Sequence, residues 1–220
     1  MRAWYSSPDV IKAYEFAALR RITERDGSML ILTGGQDIYP GLYNQPITHA
    51  RWWNPERDLA EVTSYIAARC IGMPVLGICR GHQLMAALNG GSLYQDLELD
   101  AGVQHHDYTH ELHITSDIVD MSWLPTRKTA AGTAVVYCNS LHHQTVRDVP
   151  SNGTVVARAP DDTVEAIFYP GIGLGVQWHP ESMNTPGVVD ATLSARAVRA
   201  TSAELTQLMH KLRILREIAG

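Results

Sequence analysis

The sequence predicts an α/β protein built on an open, mainly parallel sheet flanked by helices, with a small β-rich subregion. Short, largely apolar runs at Arg2 to Tyr5, Ser28 to Leu32 and Pro74 to Ile78 alternate with longer segments of helical period. That alternation is the order in which crossover helices connect parallel strands. Two of the runs empty into glycine-containing turns, Gly34-Gly35 and Gly77-Ile78-Cys79-Arg80-Gly81. After Gly90 the apolar runs shorten and follow one another closely, which marks the β-rich part.

Arg2 to Tyr5 is expected as a first strand. Ser7 then caps a helix whose first-turn Pro8 has a suitable φ and needs no donor, and Ile11, Tyr14, Ala18 and Ile22 give it one apolar face. Ser28 to Leu32 reads as a buried strand. A second helix starts at Asn54-Pro55-Glu56, shows Leu59, Val62, Ile66 and Cys70 on one face, and stops at Gly72 before Pro74. The strand Pro74 to Ile78 follows, and then a helix from Gln83 to Leu88 that ends at Asn89-Gly90-Gly91. His113 to Thr115, Ala134 to Cys138, Val155 to Ala157 and Val164 to Ile167 read as short strands, and Gly173 to Gln177 as a strand leading to His179. Beyond Pro186-Gly187, Leu205, Leu208, Leu212, Leu215 and Ile218 recur at helical spacing. A helix packed on its own sheet is the simplest reading of that tail, ahead of a cap over a site or a subunit contact.

With 220 residues, 45% hydrophobic and 19% charged, the chain is long enough to bury a full core and is read as one domain spanning 1–220. A net charge of -5 argues against a large basic surface, hence against nucleic acid as a partner. No run approaches the roughly 18 uninterrupted apolar residues of a membrane span, and the N-terminus lacks the apolar core of a signal peptide. A cytoplasmic protein with no membrane partner is expected. Cys70, Cys79 and Cys138 form no Cys-x-x-Cys pair, which suits a reducing compartment and one reactive thiol.

Cys79 is that thiol. A cysteine where a strand turns sharply into a helix is pushed out of the sheet edge, and flanking glycines let the backbone take the turn without a Cβ clash. Helix N-terminal amides and a neighbouring imidazolium favour the thiolate of such a cysteine. Gln177-Trp178-His179-Pro180-Glu181 supplies the partners: His179 as general base, and Glu181 to hold the far ring nitrogen. Cys70, on the apolar face of its helix, and Cys138, at a strand end, are read as structural.

The segments Leu32-Thr33-Gly34-Gly35-Gln36-Asp37-Ile38-Tyr39-Pro40, Pro74 to Gln83, Gly90 to Leu97, Asn139-Ser140-Leu141-His142-His143-Gln144, Val164-Glu165-Ala166 and Gly175 to Glu181 resemble those of the class I glutamine amidotransferase-like superfamily. Within it they are most similar to the Peptidase C26 group that cleaves γ-glutamyl-γ-aminobutyrate. The resemblance implies a flavodoxin-like fold and hydrolysis of a γ-glutamyl amide through a γ-glutamyl thioester. It also implies an oxyanion hole at Gly35 and Arg80, and substrate contacts from Gln83, Ser140, Leu141 and His142. The alternative is a glutaminase subunit that delivers ammonia to a separate synthetase, and a non-catalytic binding protein on this scaffold is a third reading. The short lead-in before Ser28 and the long C-terminal tail depart from the family pattern. No cofactor is expected. Metal is the weaker explanation of His105, His106, His110 and His113 and of His142-His143, because neither cluster has cysteine or carboxylate partners at ligand spacing. The amine half of the substrate and the oligomeric state, homodimer included, are left open.

Overall fold

The computed structural model describes residues 2–5, 28–105, 109–130, 132–183 and 185–219. The helix expected from Ser7 through Ile22 lies outside the described residues, as does His106. Among the described residues, nine strands form one open sheet. Its parallel part is β1 (Arg2–Tyr5), β2 (Ser28–Leu32), β3 (Val75–Ile78) and β11 (Gly173–Val176), adjacent in that order. Beyond β11 the sheet continues through antiparallel pairings with β10 (Val164–Tyr169), β9 (Thr154–Arg158), β5 (Thr109–Ile114), β7 (Ala134–Asn139) and β6 (Thr126–Lys128). The sheet is therefore mixed, and the β-rich part is larger than its short apolar runs imply, because it extends the same sheet. A separate two-stranded ribbon joins β4 (Ser92–Tyr94) to β8 (Thr145–Asp148).

Side chains alternate across the sheet as strand geometry requires. Met29, Ile31, Leu76, Ile78, Leu174 and Val176 face one core, together with Val188, Val189 and Ala191 of the helix α5 (Gly187–Leu193). Leu30, Leu32 and Val75 face the other, under the helices α1 (Pro55–Ile71) and α2 (Arg80–Leu88). Two short helices, α3 (Leu97–Ala101) and α4 (Pro180–Met183), lie at loop positions.

The ends of α1 follow the sequence signals. The Asn54 side chain accepts from the Arg57 amide at 3.0 Å, Pro55 opens the helix, and Gly72 closes it at φ 72°. Its buried face differs from the apolar stripe expected. Arg57, Asp58, Glu61, Val62, Tyr65, Ala68 and Arg69 are buried, Leu59 and Ile66 are half-buried, and Cys70 is exposed. Charge pairing overrides hydrophobic periodicity here. Arg57, Asp58 and Glu61 find partners at the sheet edge, while Arg69 donates to the carbonyls of Gly171 (3.1 Å) and Val198 (2.8 Å).

The C-terminal helix α6 (Ser202–Ala219) buries Leu208, Leu212 and Leu215 in one cluster with Val62, Tyr65 and Ala68 of α1, which is its main partner. Lys211 donates to the Leu42 carbonyl in the 3-10 turn Pro40–Tyr43. The tail thus packs within the chain, on a helix more than on the sheet. Among the described residues no helix is long and apolar enough to cross a membrane.

Between β3 and α2, Cys79 adopts φ 50° and ψ -105°. That left-handed value is costly for a side chain with a Cβ. The chain doubles back so tightly that a Cβ at Gly77 would lie 2.6 Å from the Gly81 oxygen, and one at Gly81 would lie 2.1 Å from the Leu32 oxygen. Both obstacles are backbone, so neither can rotate aside. Gly81→Ala is expected to destabilise the fold by about 1–3 kcal/mol through overpacking. Urea denaturation checks this, with Gly102→Ala as the comparison: it is left-handed at φ 68° but meets nothing within 4 Å, so it carries the backbone cost alone.

Candidate active site

Parallel pairing of β3 with β11 sets Gly77 beside Gly175 and Ile78 beside Val176. Both strands therefore end at the same edge, and Cys79 leaves one as Gln177 leaves the other. The Cys79 amide donates to the Val176 carbonyl at 2.8 Å. His179 follows two residues after Gln177, and its backbone is held on both sides by Asn139 at the end of β7. The His179 N–H donates to Asn139 Oδ1 at 2.8 Å, and Asn139 Nδ2 donates to the His179 carbonyl at 3.1 Å.

The His179 ring carries Glu181 Oε1 on Nδ1 at 2.7 Å and has Cys79 as its other hydrogen-bonding partner. Burial alone would lower this imidazole. The hydrogen bonds and charges of Cys79 and Glu181 together outweigh it and push the ring up to about 11. A sulfur on one side and a carboxylate on the other thus favour the protonated form of the ring.

Across from this pair, the loop after β2 comes so close that a Cβ on Gly34 would lie 2.6 Å from His179 Cε1. Gly35 has φ 148°, and a Cβ there would meet Arg57 Nη1 at 2.0 Å. Arg57 fixes the loop from below, Nη2 donating to the Gly34 carbonyl at 2.8 Å and Nε to Glu61 Oε1 at 3.0 Å. Glu61 also pairs with Arg80, which reaches Asp58 as well, and Asp58 accepts from the Tyr39 amide at 3.0 Å. Burial lowers the Arg80 guanidinium to about 10, so it stays charged at neutral pH. Arg80 opens α2, where its amide has no partner within the helix. The two amides expected at the oxyanion hole, Gly35 and Arg80, therefore belong to segments tied to one buried ionic cluster.

Arg57, Asp58 and Glu61 escape the sequence reading. Their signal was a run of charges in the first turns of α1, in line with Val62 and Tyr65. Gln177 and Asn139 are further omissions. Gln177 Nε2 donates to Cys79 Sγ at 3.6 Å, and Gln177 Oε1 accepts from Gln83 Nε2 at 3.2 Å. Gln83 also donates to the Gln144 carbonyl at 2.9 Å, so it stands one side chain removed from the thiol. On the loop between β7 and β8, Ser140 is buried and Leu141 is 56% exposed. His143 ties that loop to Asp37 (2.9 Å) and Asp96 (3.4 Å), contacts that raise its imidazole above the ordinary range, the hydrogen bond to Asp37 contributing most. Trp53 rests on the Tyr39 ring at 4.9 Å, whereas Trp52 is 80% exposed.

The His142 ring is buried and faces Glu165. Here the ground for setting a metal aside fails. The fold draws His105 and His110 from one histidine segment, His142 from the other, and the carboxylate of Glu165 from β10 into a single cluster. Sequence distance hid that carboxylate. Burial raises Glu165 to about 7 and lowers His142 to about 4. Cys138, buried beside this cluster, has its thiol pushed up by burial and by the Glu165 charge, as befits an inert cysteine.

A cysteine on a left-handed strand-to-helix turn, with an imidazole and carboxylate leaving the adjacent parallel strand, is the arrangement expected of a class I glutamine amidotransferase-like protein. Residues 18–181 match Peptidase C26, and the chain belongs to that family. It is 36% identical over 178 residues to protein NtpR of Enterococcus hirae, covering 74% of this chain and 71% of that one. It is 32% identical over 137 residues to the γ-glutamyl-γ-aminobutyrate hydrolase PuuD of Escherichia coli (strain K12), covering 58% of this chain and 54% of PuuD. The chain thus spans little more than half the length of PuuD. A glutamine amidotransferase from Thermotoga maritima superposes with a TM-score of 0.50 at 18% identity, covering 89% of this chain and 80% of that one, and shares the fold.

The raised His179 has a consequence for stability. Its folded-state value lies above the roughly 6.5 of an unfolded histidine, so its contribution is fully present below about pH 6.5 and is lost as pH rises toward about 11. Glu181→Gln removes one of the charges that raise it. Denaturation at a series of pH values should therefore show a shallower alkaline loss of stability in that variant, and NMR titration of the ring should show a lower midpoint.

Proposed function

We propose that the chain is a cysteine-dependent hydrolase of γ-glutamyl amides that works through a γ-glutamyl thioester and releases glutamate. The observation that carries this is the Cys79 elbow facing a His179 ring held by Glu181 at 2.7 Å. Cys79 sulfur attacks the γ-carbonyl, and the oxygen that gains charge is received by the Gly35 and Arg80 amides, each donor worth about 3 kcal/mol. The tetrahedral centre collapses as His179 gives its proton to the departing amine, leaving the thioester. Water then adds to the thioester while His179 takes its proton. The second tetrahedral centre expels the Cys79 thiolate, and glutamate leaves. Glu181 keeps the ring oriented throughout and stabilises its charged form whenever it carries the second proton. Gln83 and the main chain of Ser140, Leu141 and His142 are assigned to the glutamyl group, the amine half being left open.

The glutaminase-subunit reading needs an oxyanion loop that waits for a partner. Arg57 holds the Gly34 carbonyl within this chain, which favours self-sufficient hydrolysis. Three free cysteines, one of them at the site, suit a reducing cytoplasm.

Release of glutamate by the isolated chain from a panel of γ-glutamyl amines, beside glutamine, tests the reading. Turnover is expected on at least one γ-glutamyl amine, faster than on glutamine. Cys79→Ala should abolish it with the fold intact, His179→Ala should lower kcat by about 10,000-fold, and Glu181→Gln should cost no more than that. Glutamine turnover that appears only when a synthetase is added would replace the hydrolase with the ammonia-supplying subunit.

A further inference from the structure

We propose that His105, His110, His142 and Glu165 form a binding site for one divalent transition-metal ion of the Zn2+ class, separate from the thiol chemistry. The four residues come from the segment after α3, from β5, from the loop between β7 and β8, and from β10. One ligand atom from each lies within 4.8 Å of all the others. The Nε2 atoms of His105, His110 and His142 stand 3.6, 3.7 and 3.6 Å from Glu165 Oε1. Zinc bonds to nitrogen and oxygen measure about 2.0–2.2 Å, which places neighbouring ligands of a tetrahedron about 3.3–3.6 Å apart. The cluster is already near that spacing.

The other side of each ring says which nitrogen is free. His105 Nδ1 lies 2.7 Å from Asp161 Oδ2, His110 Nδ1 lies 2.9 Å from the Glu111 carbonyl, and His142 Nδ1 lies 3.0 Å from the Gln144 carbonyl. All three partners are acceptors, so each Nδ1 carries the proton and donates, leaving the Nε2 lone pair to point inward. This is how proteins orient imidazoles that bind metals. Three lone pairs and a carboxylate therefore converge, and the donor against them among the described residues is the Cys138 thiol, whose Sγ lies 3.7 Å from His110 Nε2.

Their isolation is nearly complete. The side chains of His105, His110, His142 and Glu165 are 5%, 8%, 2% and 0% exposed. Among the described residues, both Glu165 oxygens, His105 Nε2 and His142 Nε2 are buried without a hydrogen-bond partner. Native proteins rarely leave such groups unsatisfied, and a cation at their centre satisfies all of them. Three imidazoles and one carboxylate suit Zn2+, Co2+, Fe2+ or Mn2+, whereas Ca2+ takes six to eight oxygens and Mg2+ keeps its waters. An ion here would pin the loop carrying Ser140 to His142 against β10.

The test uses the full chain carrying Cys79→Ala, so that the nucleophile cannot take the metal, after stripping with a chelator. Equilibrium dialysis and calorimetry with Zn2+ should show one ion bound per chain, and Co2+ should give the visible absorption of a low-coordinate site. Mg2+ and Ca2+ should not compete. Glu165→Gln and His142→Ala should weaken Zn2+ binding by at least about 100-fold, and Asp161→Asn, which alters the carboxylate behind the His105 ring and none of the four ligands, by about 10-fold. Circular dichroism establishes that each variant is folded, and Asp161→Asn decides the matter if the ligand variants are not. Absence of saturable Zn2+ and Co2+ binding, or unchanged affinity in any folded variant, overturns the proposal.

Discussion

The left-handed backbone of Cys79 is the constraint on which the site depends. A non-glycine residue in that region costs on the order of 1–3 kcal/mol and persists only where its surroundings leave no alternative. Here Gly77 and Gly81 approach the chain's own carbonyls too closely for any side chain, β3 is buried at every residue, and α2 is buried along its whole length. With the backbone fixed, the sulfur projects beyond the sheet edge into reach of a ring that leaves β11.

A second constraint lies beneath the first. Arg57, Asp58, Glu61 and Arg80 are buried charges, and charges removed from water add little to stability even when paired. What they add here is alignment. Arg57 touches the loop after β2, Arg80 is the first residue of the helix that follows Cys79, and Glu61 bridges the two. Guanidinium groups suit this role because their planar forks engage two acceptors at fixed angles. Removing Glu61 would leave Arg57 Nε buried without its carboxylate and two arginines with Asp58 as their one remaining carboxylate in this cluster, so the cluster resists piecemeal change.

Features that depend on local chemistry were legible in the sequence. The turn around Cys79, the Asn54 and Gly72 ends of α1, the strand before His179 and the proximity of Glu181 to His179 all follow from residues near one another in the chain. Features that depend on which distant strands pair were not. The face of α1 was misread because its charges are satisfied by Arg80, on another helix. The gathering of His105, His110, His142 and Glu165 depends on β5 and β10 flanking β9 in one sheet, a register that no spacing in the sequence encodes. The antiparallel half was underestimated for the same reason: its short strands look isolated until they are seen to be neighbours.

Asn139 grips both the N–H and the carbonyl of His179 with one side-chain amide. The imidazole's backbone is thereby joined to the end of β7, the residue immediately before Ser140. Residues 140–143 hang from that anchored point, so the exposed side chain of Leu141 is free to vary while the His179 backbone keeps its place. For the hydrolase proposed above, such an arrangement would separate the part of the protein that sets reactivity from the part that sets preference, and would let a lineage explore new amides without rebuilding its proton-transfer machinery.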